Sequence, residues 1–368
     1  MVEKIGQLLF IGIRGKTLTQ EETEFIIKNN IGGVILFARN IESPQQVHAL
    51  CTQIQSTRHK MRDKLPLFIG VDQEGGRVAR MKAPFTQWPP LAKIGALDST
   101  SVAFRFAMDM GNELRSVGIN TDFAPCVDVY TNPKNEIIGD RSLSTDPEVV
   151  AKLSSALVRG YIKSGIIPCA KHFPGHGNTI ADSHDELPIE DADIERLRSV
   201  ELVPFKKVFR ARLDMVMTGH LKFPNIDPEW PVTMSTKFMK DLLRDELRYR
   251  GLAITDDLDM RALSAHYSVE EIAVRSFMAG CDILLYCNKF DHPAIAMDAL
   301  LKAAKDHKIS AQQVDDSYNR VLAVKKDALT QPDPEEFTKA SERIGHADHQ
   351  LLAESIVKGA VPASLLEV

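Results

Sequence analysis

The feature that most constrains the fold of this sequence is a regular alternation of short apolar runs with longer amphipathic stretches. Most of the apolar runs are nearly continuous in apolar residues, as expected for parallel strands that are covered on both faces. Eight strands that are each followed by a helix predict an α/β fold of the (β/α)8 TIM-barrel type. The predicted strands are Leu8–Ile13, Gly33–Phe37, Leu67–Val71, Ile119–Ala124, Ile166–Ala170, Met215–Thr218, Leu252–Thr255 and Asp282–Tyr286.

The amphipathic stretches carry signals for the start of a helix. Ser99-Thr100 precedes a predicted helix that runs to Val117, and Asp146-Pro147 precedes one that runs to Ser164. Ser235 precedes a third, over Lys237–Tyr249. A doubly wound open sheet is the main alternative, but no Gly-x-Gly-x-x-Gly turn follows the first strand. The barrel is therefore the favoured architecture.

Polar residues follow the carboxyl ends of most predicted strands. In a barrel these ends converge on one mouth, where catalytic groups from several strands meet. Polar residues also resume wherever a strand reaches solvent, and this explains some of them. It explains less well the acids and histidines at so many of the ends. The residues are Arg39-Asn40, Asp72, Asp128, Lys171-His172, His220, Asp256-Asp257 and Asn288.

Composition argues against several classes of protein. The formal charge of −5 is mild and mixed along the chain, so no nucleic-acid-binding surface is predicted. Residues 1–5 lack the basic and apolar regions of a signal peptide, and no apolar run approaches the length of a membrane span. The five cysteines are scattered and lie mostly in apolar strands, which predicts buried, reduced thiols and a cytoplasmic location. A catalytic cysteine is the less favoured interpretation.

The chain changes character near Lys325. Residues 1–330 are predicted to form the barrel, and residues 331–368 a linker and a short C-terminal helical tail. The proline-containing segment Gln331–Glu336 is typical of a loop, and the pattern of Ser341–Lys358 predicts a helix. There are no internal repeats of solenoid period.

Three acids, Asp256, Asp257 and Asp259, follow the predicted seventh strand within four residues. A carboxylate there can act as a metal ligand, a general base or a nucleophile, and neighbouring acids shift one another's pKa. For Asp257 and Asp259 a role in capping the next helix is a realistic alternative. It is weaker for Asp256, which is the first residue beyond the strand.

The segment Lys171–His184 holds three histidines, an aspartate and a lysine, and its Pro174, Gly175 and Gly177 predict a loop. Within it, Asp182 stands two residues before His184. A carboxylate at this spacing can hydrogen-bond the imidazole, fix its tautomer and raise its basicity, which suits a proton shuttle. The tripeptide alone is weak evidence and gains weight only from its position beyond a strand end.

The same loop offers candidate metal ligands in His172, His176, Asp182 and His184. His172 and His176 have i, i+4 spacing, but the intervening Pro-Gly denies them a shared helical face. No His-x-His occurs at the first strand end. We therefore expect neither a metal ion nor an organic cofactor.

A third polar segment runs from Asp72 to Arg80, and Gly139-Asp140-Arg141-Ser142 lies further along the chain. A strand-end aspartate with arginines in loops suits recognition of a hydroxyl-rich ligand by charge-assisted hydrogen bonds. Glu74 and Arg77 are expected to pair with each other across a turn. A phosphate site is conceivable but lacks a glycine-rich loop that opens a helix.

At these residues the chain resembles family 3 of the glycoside hydrolases, in its β-N-acetylglucosaminidase (β-N-acetylhexosaminidase) branch. The resemblance covers roughly residues 1–340, and its segments occur in the family's order. The Lys-His-Phe-Pro-Gly-His-Gly segment followed by Asp-Ser-His is the most specific part. The matching segments are Asp72–Val78, Gly139–Ser142, Lys171–Gly177, Asp182–His184 and Thr255–Leu258.

The resemblance implies a retaining hydrolysis in two steps. Asp256 would be the nucleophile, and His184, braced by Asp182, the acid and base. The N-acetylglucosamine hydroxyls would be bound by Asp72, Arg80, Arg141, Lys171 and His172. His220 is expected to line the same pocket, and His176 to shape the loop. Larger family members have a second domain that supplies a carboxylic acid, and this chain ends about where such a domain would begin, so a histidine inside the barrel is expected to take that role.

Relatives in this branch often have Ser where Thr255 and Asp259 stand. The charge of Asp259 is expected to raise the pKa of Asp256. His349–Lys358 resembles the opening helix of the second domain in longer relatives and is interpreted as a remnant of it.

The resemblance implies a substrate from peptidoglycan recycling, in which N-acetylglucosamine is β-1,4-linked to an anhydro-N-acetylmuramic acid peptide. No macromolecular partner is expected, and a monomer is favoured. A phosphorylase with the same nucleophile is the nearest alternative, because a histidine repels phosphate less than a carboxylate does. A non-catalytic sugar-binding barrel and a metal-dependent hydrolase are the further alternatives.

Overall fold

The computed structural model describes residues 1–180, 183 and 186–367, and the structural statements below concern that part of the chain. Eight parallel strands form one sheet in the order β7-β6-β5-β4-β3-β2-β1-β8. The strands are β1 Leu9–Gly12, β2 Gly33–Leu36, β3 Phe68–Val71, β4 Thr121–Asp122, β5 Ile167–Phe173, β6 Met215–Thr218, β7 Leu252–Thr255 and β8 Leu284–Tyr286.

The two ends of this sheet meet, so the sheet closes into a barrel. Strand β8 pairs with β1 along three residues, and a bridge between Ile254 and Ile283 joins it to β7. Two further backbone hydrogen bonds cross the same seam, from Thr255 to Ile283 at 3.0 Å and from Leu258 to Leu285 at 2.9 Å. The predicted (β/α)8 barrel is confirmed, and the open sheet is wrong.

Large aromatic rings fill the interior of the barrel beside glycines in two of the strands. The ring of Phe10 stacks on Phe68 at 6.2 Å between centroids and meets Phe123 edge-on at 5.4 Å. A Cβ on Gly70 would lie 2.9 Å from the Phe10 ring, so a larger residue there would displace it. Glycine in β3 thus gives these rings the space they need.

Strand β5 is longer than the sequence predicted, and β4 is shorter. Lys171 and His172 lie within β5, and both are buried. The backbone pairing continues because Val127 donates to the Lys171 carbonyl at 2.8 Å, beyond the end of β4. The pattern of apolar residues could not reveal this extension, because the two buried side chains are polar.

Helices surround the barrel, and two of the predicted start signals are confirmed. The Ser99 hydroxyl accepts from the Val102 N–H, and Asp146 accepts from Glu148 ahead of Pro147. The helices are α1 Val2–Gln7, α2 Gln20–Asn29, α3 Pro44–Ser56, α4 Leu91–Leu97, α5 Thr100–Ser116, α6 Pro147–Ser164, α7 Ile194–Ser199, α8 Leu202–Arg210, α9 Arg261–Ser264, α10 Val269–Ala279, α11 His292–Lys305, α12 Ala311–Ala328, α13 Phe337–Ala340 and α14 Ala347–Lys358. Short 3₁₀ segments are Ala38–Asn40, Thr57–Lys60, Gly139–Arg141, Val232–Met234, Ser341–Arg343 and Ala363–Leu365.

The helix predicted over Lys237–Tyr249 differs from the expectation. It spans Lys237–Glu246 with the wider i→i+5 hydrogen bonding of a π-helix. Leu247 donates to the Leu242 carbonyl at 2.9 Å, and Arg248 then takes a left-handed backbone conformation with φ 54°. This turn ends the helix before Tyr249 and leads the chain into β7.

The amino ends of the strands form the floor of the barrel, and two ionisable side chains are buried there. Asp282 accepts from Arg244 at 2.6 Å, from Arg320 at 2.8 Å and from the Ala253 N–H at 2.9 Å. Lys325, from α12, donates to Gln7 at 2.7 Å and to the Gly32 carbonyl at 2.8 Å.

The C-terminal segment packs on the outside of the barrel, against α4 and α5. The helix predicted over Ser341–Lys358 is divided into a 3₁₀ segment and α14, with Gly345 in a left-handed conformation between them. The His349 ring lies 2.8 Å from Glu113 of α5 and fastens α14 to the barrel.

Two further observations bear on the expectations from composition. None of the described helices combines the length and the apolar character that a membrane span requires. All five cysteines are free and buried, and burial raises the pKa of each thiol. The expectation of buried thiols is confirmed.

Candidate active site

A cavity of about 210 Å³ opens at the carboxyl ends of the strands. Six of the residues predicted for the site line it together, namely Asp72, Arg80, Arg141, Lys171, His172 and Asp256. The remaining lining residues are Ile35, Phe37, Glu74, Val78, Phe123, Met217, Asp257, Met260, Leu285, Cys287 and Asn288.

One wall of the cavity is a network of buried charges. The Lys171 ammonium donates to Asp72 and to Glu74, both at 2.7 Å. Arg141 binds Glu74 with two hydrogen bonds, at 2.8 and 2.9 Å. Burial opposes ionisation of Glu74, but Arg141 and Lys171 outweigh it and hold the pKa of this carboxyl far below its usual range. The network is therefore charged and fixed before any ligand arrives.

The expected pair between Glu74 and Arg77 is wrong. Arg77 binds Asp140 at 3.0 Å and the Glu136 carbonyl at 2.7 Å on the surface. Glu74 points the other way because the chain turns back at Gly75-Gly76. Both glycines have positive φ, and the turn lets the Glu74 N–H donate to the Val78 carbonyl. Local spacing could not predict these contacts, because Glu74 and Arg77 both bind segments that are distant in the chain.

Arg80 reaches the cavity from the loop after β3. Its guanidinium lies 3.7 Å from Asp72 and 5.9 Å from the ring of Phe37. About a quarter of the side chain is exposed, compared with 3% for Lys171. Arg80 is thus the cation in this wall with the most surface open to a ligand.

His172 is held from behind by Asp128. The imidazole Nδ1 lies 2.8 Å from the Asp128 carboxylate, and Nε2 lies 3.5 Å from Arg141 on the cavity side. Asp128 also accepts from the backbone N–H of His176 at 2.7 Å. Burial opposes ionisation of Asp128, but His172 and then His176 lower its pKa to about 2.

His176 lies beside His172 but takes part in a different set of contacts. Its Nδ1 is 2.7 Å from the Thr179 hydroxyl, and its Nε2 is 3.2 Å from the Ser183 hydroxyl. Burial, followed by the electrostatic effect of the neighbouring His172, lowers its pKa to about 4. These contacts agree with the expected role in shaping the loop.

Cys126, Asp128 and His172 form a group whose potential metal-ligand atoms lie within 4.8 Å of one another. The Cys126 thiol donates to Asp128 at 3.3 Å, and burial keeps the pKa of that thiol high. A metal would need the thiolate and would have to displace the short contact between Asp128 and His172. The chemistry of these donors fits a hydrogen-bonded cluster better than a zinc site.

Asp256 follows β7 and faces the cavity. Its carboxylate accepts the N–H of Asp257 at 2.8 Å. Burial raises the pKa of Asp256, but His220, His172, the Asp257 N–H and Lys171 together lower it below its usual value. An ionised carboxylate at this position can act as a nucleophile.

Asp257 and Asp259 do not cap the following helix, so that interpretation is wrong. Asp257 accepts from the Cys287 N–H at 3.1 Å, and Asp259 accepts from the N–H groups of Asn288 and Lys289 at 3.0 and 2.8 Å. The two acids therefore clamp the end of β7 to the end of β8.

The expected effect of Asp259 on Asp256 is also wrong. Burial, followed by the charge of Asp259, raises the pKa of Asp257 to about 7, while that of Asp256 is lowered. Asp259 lies 2.7 Å from His292 and faces away towards β8. The charge of Asp259 therefore raises the pKa of Asp257 and not, as expected, the pKa of Asp256.

His220 lies behind the cavity wall and does not line it. It is fully buried, with Nδ1 2.8 Å from the Thr233 hydroxyl and Nε2 3.0 Å from the Asp257 carbonyl. The carbonyl can only accept, so Nε2 carries a proton. His220 thereby fixes the backbone next to Asp256.

Asp182 and His184, the predicted acid/base pair, lie outside the described residues. Ser183 between them is described and is buried. Its carbonyl accepts the N–H of Ala262, in α9, at 3.3 Å. Helix α9 begins five residues after Asp256, so Ser183 is anchored close to the segment that carries the predicted nucleophile.

Sequence reasoning missed two residues of this site, Glu74 and Asp128. Both are acids at the end of a strand or in the loop after it, and this position was the available signal. Local spacing pairs Glu74 with Arg77, and it indicates no particular role for Asp128. Their partners, Lys171 and His172, lie more than 40 positions away in the chain.

Comparison with known protein families gives a match over most of the chain. The model of the glycosyl hydrolase family 3 N terminal domain matches residues 1–324. These residues include all eight strands and every predicted site residue.

Two curated relatives agree with this match. A β-hexosaminidase from Stenotrophomonas maltophilia (strain K279a) is 38% identical over 299 residues, which cover 80% of this chain and 86% of the relative. β-Hexosaminidase A from Pseudoalteromonas piscicida is 36% identical over 94% of this chain, and the chain spans 61% of that relative's length.

A solved structure agrees as well. The family 3 β-N-acetylglucosaminidase from Paenibacillus sp. str. FPU-7 superposes with a TM-score of 0.91 at 36% identity, over 98% of this chain and 68% of that protein. The chain belongs to glycosyl hydrolase family 3, and it is a glycoside hydrolase of the group that includes the β-hexosaminidases.

Proposed function

We propose that this chain is a retaining exo-β-N-acetylglucosaminidase, which removes terminal N-acetylglucosamine from the non-reducing end of its substrate. The observation that supports this most is the ionised Asp256, which lines the same small cavity as the wall of buried charges. The names of the relatives, β-hexosaminidase and β-N-acetylglucosaminidase, support the choice of sugar.

In the first chemical step, an oxygen of Asp256 attacks the anomeric carbon as the glycosidic bond breaks. The leaving oxygen takes a proton from His184, which Asp182 orients. In the second step, His184 takes a proton from water, the water oxygen bonds to the anomeric carbon, and the bond to Asp256 breaks. Two inversions give net retention. His184 and Asp182 are assigned by resemblance, and the position of Ser183 near α9 supports the assignment.

The charged wall would hold the sugar. Asp72 accepts from hydroxyl groups, while Arg80, Arg141, Lys171 and His172 offer donors or a ring nitrogen. The cavity, at about 210 Å³, is smaller than the roughly 300–1,000 Å³ of pockets that hold drug-sized ligands. This size suits one sugar ring and supports cleavage from the chain end.

The natural substrate would be a peptidoglycan fragment that carries N-acetylglucosamine β-1,4-linked to an anhydro-N-acetylmuramic acid peptide, in cell-wall recycling. The location would be the cytoplasm, which the buried free cysteines support. Residues 1–330 would form the catalytic barrel, and residues 331–368 a linker and helical tail.

The direct test is mass spectrometry of the protein after treatment with a fluorinated, slowly turned-over N-acetylglucosaminide. The sugar adduct is expected on Asp256 and should be lost in Asp256→Asn. An adduct on another residue would remove the nucleophile assignment. The exposed Asp140→Asn variant, which changes a carboxylate on the surface, is the matched control and should retain the adduct.

Turnover of a chromogenic β-N-acetylglucosaminide tests the activity itself. Asp256→Ala should lower kcat by at least about 10⁴-fold while the protein stays folded. The same assay with added phosphate separates the two reaction types, since release of N-acetylglucosamine-1-phosphate would indicate a phosphorylase. Failure to turn over any β-N-acetylhexosaminide would contradict the proposed function.

A further inference from the structure

Asp128 is a fully buried carboxylate just beyond β4 that does not line the cavity. It accepts from the Nδ1 of His172 at 2.8 Å and from the backbone N–H of His172 at 3.2 Å. A third N–H, from the backbone of His176, donates to it at 2.7 Å. One carboxylate therefore holds both ends of the His172–His176 turn.

A second buried acid in the same strand region behaves in the opposite way. Burial raises the pKa of Asp122 well above its usual value, and the one backbone donor, the Gln73 N–H at 3.0 Å, does not compensate. Asp128 receives three N–H donors, and its pKa is about 2. Three N–H donors thus stabilise the Asp128 carboxylate, whereas Asp122 receives one backbone N–H donor.

An ionised carboxylate can only accept hydrogen bonds, so the Nδ1 of His172 must carry a proton. The other ring nitrogen, Nε2, is the one on the cavity side, 3.5 Å from Arg141. Arg141 has donors and no acceptor, so a lone pair on Nε2 is the form that agrees with this neighbour. The surroundings thus select one tautomer.

We propose that Asp128 is a positioning residue for ligand binding. It keeps His172 in the Nδ1–H tautomer, so that Nε2 accepts a hydrogen bond from a hydroxyl group of the ligand. It also anchors the His172–His176 turn through the backbone. This inference rests on the proposed function only for the identity of the ligand, a sugar hydroxyl.

The first test is independent of activity. In ¹⁵N-histidine-labelled protein, the ring resonances of His172, identified by their loss in His172→Asn, should show the Nδ1–H tautomer. The Nε2–H tautomer in the unaltered protein would overturn the proposal, whether or not the Asp128 variants fold. In Asp128→Asn the resonances should change towards a mixture of tautomers.

The second test is a double-mutant cycle on kcat/KM for a chromogenic β-N-acetylglucosaminide. Asp128→Asn and His172→Asn should each lower kcat/KM by about 100-fold, because both remove the same hydrogen bond to the ligand. His172→Asn keeps a donor towards Asp128 and deletes Nε2. The double variant should lose no more than about threefold beyond either single variant, whereas multiplied losses would indicate a purely structural role and overturn the proposal.

Asp122→Asn is the matched control for this cycle. It replaces a carboxyl whose pKa is raised by burial with a neutral amide of the same shape, and it should change kcat/KM by less than about threefold. If the unaltered protein turned over no β-N-acetylglucosaminide, the proposed function would fail while the tautomer measurement still decided the role of Asp128.

Discussion

The two ends of the barrel both bury charged groups, but they use them differently. At the floor, Asp282 accepts from two arginines, a serine and a backbone N–H, and Lys325 donates to two oxygens of the protein. At the mouth, Arg80 and the Nε2 of His172 still face the cavity. The buried ionisable groups at the floor form their hydrogen bonds within the protein, whereas some groups at the mouth remain available to a ligand.

This difference separates stability from binding. A buried ion pair contributes little net stability over an apolar replacement, but removal of one partner leaves an uncompensated charge and is costly. Changes at the floor should therefore act on the unfolding free energy. Changes at the mouth should act mainly on turnover.

The largest effect is expected from Asp282→Asn at the floor. Without the carboxylate, Arg244 and Arg320 lose their common partner, and the unfolding free energy should fall by about 3–5 kcal/mol. At temperatures where the variant is folded, kcat/KM should be unchanged. Chemical denaturation measures the first quantity, and Asp316→Asn, an exposed acid on α12, should stay within about 0.5 kcal/mol. A large loss of kcat/KM in folded Asp282→Asn would contradict the separation of stability at the floor from turnover at the mouth.

A smaller effect, of the opposite kind, is expected from Arg141→Lys at the mouth. Lysine cannot reproduce the two hydrogen bonds to Glu74 or the contact with His172. We expect kcat/KM to fall by about 100-fold, or about 2.7 kcal/mol. Glu74 keeps Lys171, so the unfolding free energy should change by no more than about 1 kcal/mol. A stability loss as large as that of Asp282→Asn would contradict the comparison.

The smallest effect is expected from Lys325→Met and depends on pH. Burial lowers the pKa of Lys325 to about 7, and its ammonium donates to the uncharged oxygens of Gln7 and the Gly32 carbonyl. Between pH 7 and about 10.5 the unfolded chain binds more protons at this lysine, so the native protein gains stability as the pH rises. This gain is at most about 1.4 kcal/mol per pH unit and is absent below pH 7.

Lys325→Met should abolish this dependence. The difference in unfolding free energy between the unaltered protein and the variant should change by about 2 kcal/mol from pH 7 to pH 9, in favour of the unaltered protein. Urea unfolding across this range measures it. Lys326→Met, at the exposed neighbouring position, should leave the slope as it is. A flat difference would show that Lys325 is charged and solvated in the native state.

Most of the architecture could be predicted because it follows from local patterns. Eight apolar runs and their capping residues determine where strands and helices begin, and Ser99 and Asp146 act as predicted. The limits of β4 and β5 could not be predicted, because Lys171 and His172 are buried polar residues that continue a strand. Their burial depends on Asp72, Glu74 and Asp128, which lie far away in the sequence.

The residues of the site could be predicted in so far as the strand ends meet at one mouth of the barrel. Asp72, Lys171, His172 and Asp256 were located on this basis and line one cavity. The partners were not predictable, since Glu74, Asp257 and Asp259 all bind segments that local spacing does not reveal. The positions of these acids at strand ends could be predicted, but their partners follow only from the closed barrel.

The clamp that Asp257 and Asp259 make with residues 287–289 joins the loop after Asp256 to the last strand of the barrel. That strand is also the one that must reach back to β1. The segment that carries Asp256 is therefore tied to a strand that itself pairs with the first strand of the barrel. A change that loosened β8 from β1 would reach the wall of the cavity through this clamp, although β1 and Asp256 lie at opposite ends of the barrel sequence.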